Sequence, residues 1–284
     1  MKFNSLKATA LLGLVASISM AQANTFSGAG PYNSDGPVAS AGNGSFGGVT
    51  ATTMLASSLR IQGNLNDGGV GSFLSEARWN ITNQTFGVSL GVQSAVGNTW
   101  SGTQAVDSTI SVLAWMTAGD NYNFEAFESF NDSGVDANWT DVSFTFAAGT
   151  VTSVGSYAAG AFVFDTEGSD AFDSEIALYS SSGTLLGTDD DAGTGNLSSL
   201  AATLGLGSYY LVSGGFNSQF GNGIALPGTA VANVLNTNIN GVSVGSSALA
   251  ARQFHVYSFN VVPEPGSALA LGLGAVALLR RKKK

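Results

Sequence analysis

Hydrophobic and polar residues alternate with a period of two along most of the chain. FLSEARWNI (Phe73 to Ile81), FGVSLGV (Phe86 to Val92), ISVLAWM (Ile110 to Met116) and VSFTF (Val142 to Phe146) each put apolar side chains on one face. That is the pattern of half-buried antiparallel strands. A second set, GAFVFD, EIALYSSSGTLLG, LAATLGLGSYYLVSGGF and FHVYSFNVV, alternates or runs apolar between turns of Gly, Ser and Asp. Helical spacing recurs far less clearly. The pattern predicts an all-β chain, an antiparallel β-sandwich or jelly roll in two lobes. The first lobe is expected over residues 24–155 and the second over 156–261. A stretch at about 217–250, poor in charge and rich in Gly, Asn and Ser, reads as an insert in the second lobe.

Both ends of the chain depart from this alternation. At the N-terminus Lys2 and Lys7 flank an apolar run from Ala8 to about Met20, followed by Ala21 and Ala23 in an A-x-A arrangement. This is the layout of a secretory signal peptide over residues 1–23, with cleavage expected after Ala23. At the C-terminus Ser267 to Leu279 is apolar and precedes a basic cluster, Arg280, Arg281 and Lys282. The run is shorter than the roughly 20 residues that usually span a hydrocarbon core, so it reads as a short transmembrane helix. Basic residues after it would hold that end on the cytoplasmic side and leave the body outside.

Composition sharpens the picture. The 284 residues include 38 Gly, are 44% hydrophobic and only 10% charged, and carry a formal net charge of -9. Short strands joined by glycine turns suit these figures better than a disordered chain or a helical bundle. Between the two basic ends the only cationic residues are Arg60, Arg78 and Arg252. So acidic a body repels phosphate backbones, which excludes nucleic acid and leaves divalent cations and neutral glycans as partners. With no cysteine in the chain, disulfides, thiolate metal sites and thiol catalysis are excluded, but export is not.

Catalytic chemistry finds little to work with. The single histidine, His255, lies in the strand pattern FHVYSFNV and reads as a packed residue, since one histidine cannot build a multi-histidine metal site and no G-x-S-x-G elbow accompanies it. No enzyme activity is expected. Acids gather in two turns, and Asp165, Asp170, Asp173, Asp189, Asp190 and Asp191 are the candidate Ca²⁺ ligands, because carboxylates brought together without a cation repel one another. The EF-hand spacing is not met, since Leu200 stands where the bidentate Glu would follow Asp189. An opposed pair drawn from these carboxylates together with Glu167 and Glu175 would instead suit a glycoside hydrolase, the least favoured alternative. Among the tryptophans, Trp115 reads as core, whereas Trp100 and Trp139 beside polar turns are candidates for sugar stacking.

Two resemblances complete the reading. Pro263, Glu264 and Pro265, followed by the Gly/Ala/Leu run and the Arg280 to Lys282 cluster, resemble the PEP-CTERM sorting signal of Gram-negative bacteria. The resemblance implies recognition by an exosortase, a membrane enzyme that cuts near the motif and passes its substrate toward the cell surface and its exopolysaccharide. The three motif residues are then substrate residues, not catalysts. Separately, Phe162 to Phe216, with its acidic turn before IALYSSSGTLL, its TDDDAG loop and its closing LGLGSYYLVSGG, resembles the pre-peptidase C-terminal-like β-sandwich domain, a non-catalytic accessory module of secreted bacterial proteins. Together they imply an exported protein, first anchored in the membrane and then at the surface, structural or adhesive in an exopolysaccharide or biofilm layer. A carbohydrate- or calcium-binding surface module is the alternative.

Overall fold

The computed structural model describes residues 22–67, 72–93, 99–130, 135, 137–149, 151–170 and 172–264. Every regular element among them is a β-strand, and no helix is long and apolar enough to cross a membrane. The expected signal peptide over residues 1–23 falls almost wholly outside the described residues, and the expected C-terminal helix does so entirely.

The strands build four main sheets. The first runs in the order Ala23–Gly28, Ala137–Ala148, Met54–Asp67, Thr103–Met116, Ile224–Leu226 and Gln219–Gly221, with Tyr32–Ser34 also paired to Ala137–Ala148. The second runs Ser45–Val49, Asn121–Glu128, Ala77–Asn83 and Val88–Val92. The third runs Thr152–Ala158, His255–Val262, Gly207–Gly215, Ser174–Ser180 and Leu185–Asp189. The fourth runs Ser199–Leu204, Gly160–Asp165, Ala232–Ile239 and Val242–Leu249. All pairings are antiparallel except that of Thr152–Ala158 with His255–Val262. A short ribbon, Ser72–Phe73 with Thr99–Trp100, stands apart.

Alternation along each strand decides the layering. The first and second sheets enclose an aromatic core in which Trp79, Phe124, Trp139, Phe144 and Phe146 are fully buried. Phe124 and Phe144 stack across the sheets with ring centroids 4.5 Å apart. The third and fourth sheets enclose a second core around Phe162, Phe164, Ile176, Leu178 and Phe259. The opposite faces of the first and third sheets carry Leu113, Ala225, Ala177, Tyr179, Val212 and Phe254, which form a third core between the sandwiches. Ile176 and Leu178 therefore face one core while Ala177 and Tyr179 face another.

The stretch at 217–250 contains four strands, and they serve both sandwiches. Gln219–Gly221 and Ile224–Leu226 form a hairpin on the edge of the first sheet, and Ala232–Ile239 and Val242–Leu249 form half of the fourth. The junction closes on a glycine. Trp115 N–H donates to Gly223 O at 3.0 Å and Gly223 N–H to Gly183 O at 2.7 Å. Gly183 has φ of 86°, and a Cβ there would lie 2.8 Å from the Trp115 ring. Gly183→Ala is therefore expected to cost about 1–3 kcal/mol through strain and overpacking. Chemical denaturation followed by tryptophan fluorescence measures it, and an unchanged midpoint would refute the junction's tightness.

Candidate functional site

The second sandwich brings the two acidic turns of the sequence together. Thr166, Ser174 and Ser198 are fully buried and bonded to one another, with Thr166 Oγ1 2.7 Å from Ser174 Oγ. Ser198 Oγ lies 2.6 Å from Ser174 O and 2.9 Å from Asp190 O. This serine pins the TDDDAG loop against the start of the Ser174–Ser180 strand. As a result Asp173, Asp190 and Asp191 converge, with one carboxylate oxygen from each within 4.8 Å of the others. Two oxygens bound to one Ca²⁺ at about 2.3–2.6 Å stand no farther apart than about 5 Å, so the spacing fits that ion.

The other three sequence candidates have structural partners instead. Asp189 Oδ2 accepts from Ala192 N–H at 3.1 Å and Ser199 N–H at 2.6 Å. Asp170 Oδ2 accepts from Val234 N–H at 2.8 Å, and Asp165 Oδ1 accepts from Glu167 N–H and Asn238 Nδ2. They hold turns and do not join the cluster.

The electrostatics of the cluster are strained. Burial, then the charges of Asp191 and Asp173, push the Asp190 carboxyl above its ordinary range. Oδ1 of Asp173 is buried and has no hydrogen-bond partner among the described residues. Glu175, two residues on, is pushed up to about 7, mainly by burial, although Asn217 N–H donates to its Oε1 at 2.9 Å. A cleft of about 470 Å³ opens beside Asp173, lined by Asp170, Phe172 and the Thr194 to Leu197 loop. The donor set is all oxygen and acidic, which is the chemistry of a hard cation. Glu175 was not among the Ca²⁺ candidates of the sequence, because its carboxyl is raised by burial and then by the charges of Asp190 and Asp173, which only the fold brings about.

The tryptophan expectation requires correction. Trp139 is fully buried and Trp100 is 8% exposed, both in the core of the first sandwich. Trp139 alternates inward along Ala137–Ala148 and packs on Trp79 at 5.5 Å, so the polar turn beside it misleads about its direction. Neither offers a face to a sugar. Trp115 packs at the junction, where its Nε1–H donates to Ser181 O at 3.0 Å. His255 is half-buried, with Nε2 3.4 Å from Ser247 Oγ, and burial lowers its pKa.

Past the last strand, His255–Val262, Pro263 and Glu264 are exposed. Proline has no N–H to continue the ladder, so the strand ends there. Pro265, Arg280, Arg281 and Lys282 lie outside the described residues. Residues 261–284 match the family described as the PEP-CTERM protein-sorting motif. No curated protein matches the chain. The matched motif defines a class, the exported substrates of an exosortase, and implies a transient membrane anchor followed by placement at the cell surface. The acidic all-β body is the cargo of that signal.

Proposed function

We propose that this protein is a structural or adhesive component of an exopolysaccharide or biofilm layer on a Gram-negative cell, without catalysis of its own. The observation that supports it most is the sorting motif at 261–284 joined to an acidic, charge-poor β body. Such a body resists nonspecific contact with anionic surfaces while presenting polar strands and turns to hydrated glycans. The test is removal of the chain from a matrix-forming strain. The layer is expected to lose cohesion while polysaccharide output is unchanged, and a layer with unaltered mechanics would overturn the proposal.

A second reading, a calcium-binding surface module, draws on the convergence of Asp173, Asp190 and Asp191. The body's second sandwich is then of the pre-peptidase C-terminal-like kind, since the acidic turn and the TDDDAG loop that carry that resemblance are the segments that meet. A bound Ca²⁺ would relieve the repulsion among the three carboxylates and satisfy the buried Asp173 oxygen. Calorimetric titration is expected to give binding heat, with a gain of about 2.7 kcal/mol in stability at a hundredfold excess over Kd. Asp173→Asn combined with Asp190→Asn should abolish both. Absence of heat and of any melting shift in the unaltered chain would sink this reading.

A further inference from the structure

We propose that the cleft between the two sandwiches beside His255 is a binding site for a neutral sugar unit of a glycan chain. The inference deepens the matrix role above and rests on it for the source of the sugar.

The cleft has a volume of about 280 Å³, close to the lower end of the roughly 300–1,000 Å³ that small-molecule sites occupy. That is room for a single sugar ring rather than for a folded segment of another protein. Strands of both sandwiches build it. Ser57 of Met54–Asp67 and Ser111 of Thr103–Met116 line it together with Thr152 of Thr152–Ala158, Ser247 of Val242–Leu249, and His255 and Val256 of His255–Val262. Junctions between folded units are where binding clefts concentrate. Ser57 sits at the register shift between Ala56 and Ser58, and such an irregularity re-aims a side chain that regular pairing would fix.

The walls are tied to each other. Ser111 N–H donates to Arg252 O at 3.1 Å, Ser111 Oγ lies 2.6 Å from Gln253 Oε1, and Gln253 Nε2 donates to Thr109 O at 3.3 Å. These bonds cross from the first sandwich to the second, so the cleft is formed before any ligand arrives.

Its lining selects among ligand classes. No Asp, Glu, Lys or Arg lines it. A metal ion would find no carboxylate there, and an anion would find no cation to offset a chain whose net charge is -9. An apolar ligand would leave the hydroxyls without partners. What remains is a neutral ligand that both donates and accepts hydrogen bonds. The imidazole of His255 is under-bonded where it stands, with Nε2 3.4 Å from Ser247 Oγ and Nδ1 buried without a hydrogen-bond partner among the described residues. Buried polar atoms are seldom left so. Burial holds its pKa below the ordinary value, against an opposing pull from the Ala248 backbone. At neutral pH the ring is therefore uncharged, with one nitrogen to donate and one to accept. A turn of the ring toward the cleft exchanges its weak contact for bonds to sugar hydroxyls, while Val256 meets the apolar C–H face of the ring.

The chain has a single histidine, so its imidazole gives one set of nuclear magnetic resonance signals and reports on this cleft alone. The experiment titrates the full chain, in a sugar-free detergent at fixed neutral pH, with glucose, galactose and mannose, with short neutral oligomers of each, and with glucuronate and glucosamine. At least one neutral sugar and its oligomers are expected to move the His255 signals saturably, and the charged sugars much less. Ser247→Ala keeps the reporter and should weaken binding about five- to tenfold, the worth of one lost hydrogen bond. His255→Ala should do the same by calorimetry. Unchanged melting temperatures show that the variants fold. Signals that stay put with every neutral sugar overturn the proposal, as do a stronger response to glucuronate, binding of single sugars but of no oligomer, or an affinity unchanged in both variants. Absence of binding by the purified chain refutes the site alone, whereas a layer that keeps its cohesion without the chain refutes the matrix role alone.

Discussion

Trp79→Ala is expected to destabilise the first sandwich by about 3–5 kcal/mol, the usual cost of emptying a large aromatic site. Trp79 is fully buried and packs edge-on to Phe46 at 5.9 Å and Phe144 at 5.2 Å, with Trp139 at 5.5 Å. Its neighbours come from both sheets, so they cannot collapse into the space without moving a paired strand. The indole Nε1 has no hydrogen-bond partner among the described residues, and an unsatisfied buried donor carries a penalty of about 1–3 kcal/mol. Trp79→Phe keeps much of the ring and removes that donor, so it should recover more than half of the alanine loss. Urea denaturation of the three chains measures the series. A loss under about 1 kcal/mol for alanine would contradict the packing described, since partial exposure alone would account for it.

The second large effect concerns location. Deleting residues 262–284 is expected to abolish exosortase processing and surface placement, leaving the body released without its anchor. Pro263 and Glu264 stand exposed just beyond a strand that is paired on both sides, by Thr152–Ala158 and by Gly207–Gly215. A protease can therefore reach the motif without unfolding the sheet, and a cut there spares the ladder. Glu264→Ala within the intact tail should impair processing while leaving export unchanged. Fractionation followed by mass determination of the mature chain reads both variants. If either is sorted and trimmed like the parent, the motif is not the address used.

Several strands were legible because their alternation is clean. Gly160–Asp165, Ser174–Ser180 and His255–Val262 coincide with GAFVFD, the first half of EIALYSSSGTLLG and FHVYSFNVV. Met54–Asp67 was not, although it is one of the two longest strands. Its inward residues switch parity from Met54 and Ala56 to Leu59, Ile61 and Leu65, at a register shift between Ala56 and Ser58. A period-two reading loses the thread at such an irregularity, and the Ser, Gln and Asn between the apolar residues complete the disguise. FLSEARWNI fails in the opposite direction. Its alternation continues through Leu74 to Glu76, which the fold uses as a turn between Ser72–Phe73 and Ala77–Asn83.

The candidate site divides in the same way. That acids gather in two turns was plain from composition, but which three of six would meet depended on the buried Ser198 bridging one turn to the other. Residues 173 and 190 are brought together by sheet pairing that no local pattern encodes.

By itself, then, the sequence determined the all-β class, the acidic and cysteine-free chemistry, and the sorting motif, because each depends on residue type and short-range order alone. Only the tertiary structure decided that Trp139 faces inward, that Gln219–Leu226 crosses to the other sandwich, and that Asp173 meets Asp190 and Asp191. Those outcomes depend on which faces of two-sided sheets find apolar partners, and both faces of the Thr103–Met116 strand do. Alternation tells the two faces of a strand apart; what each face packs against is settled only when the sheets stack.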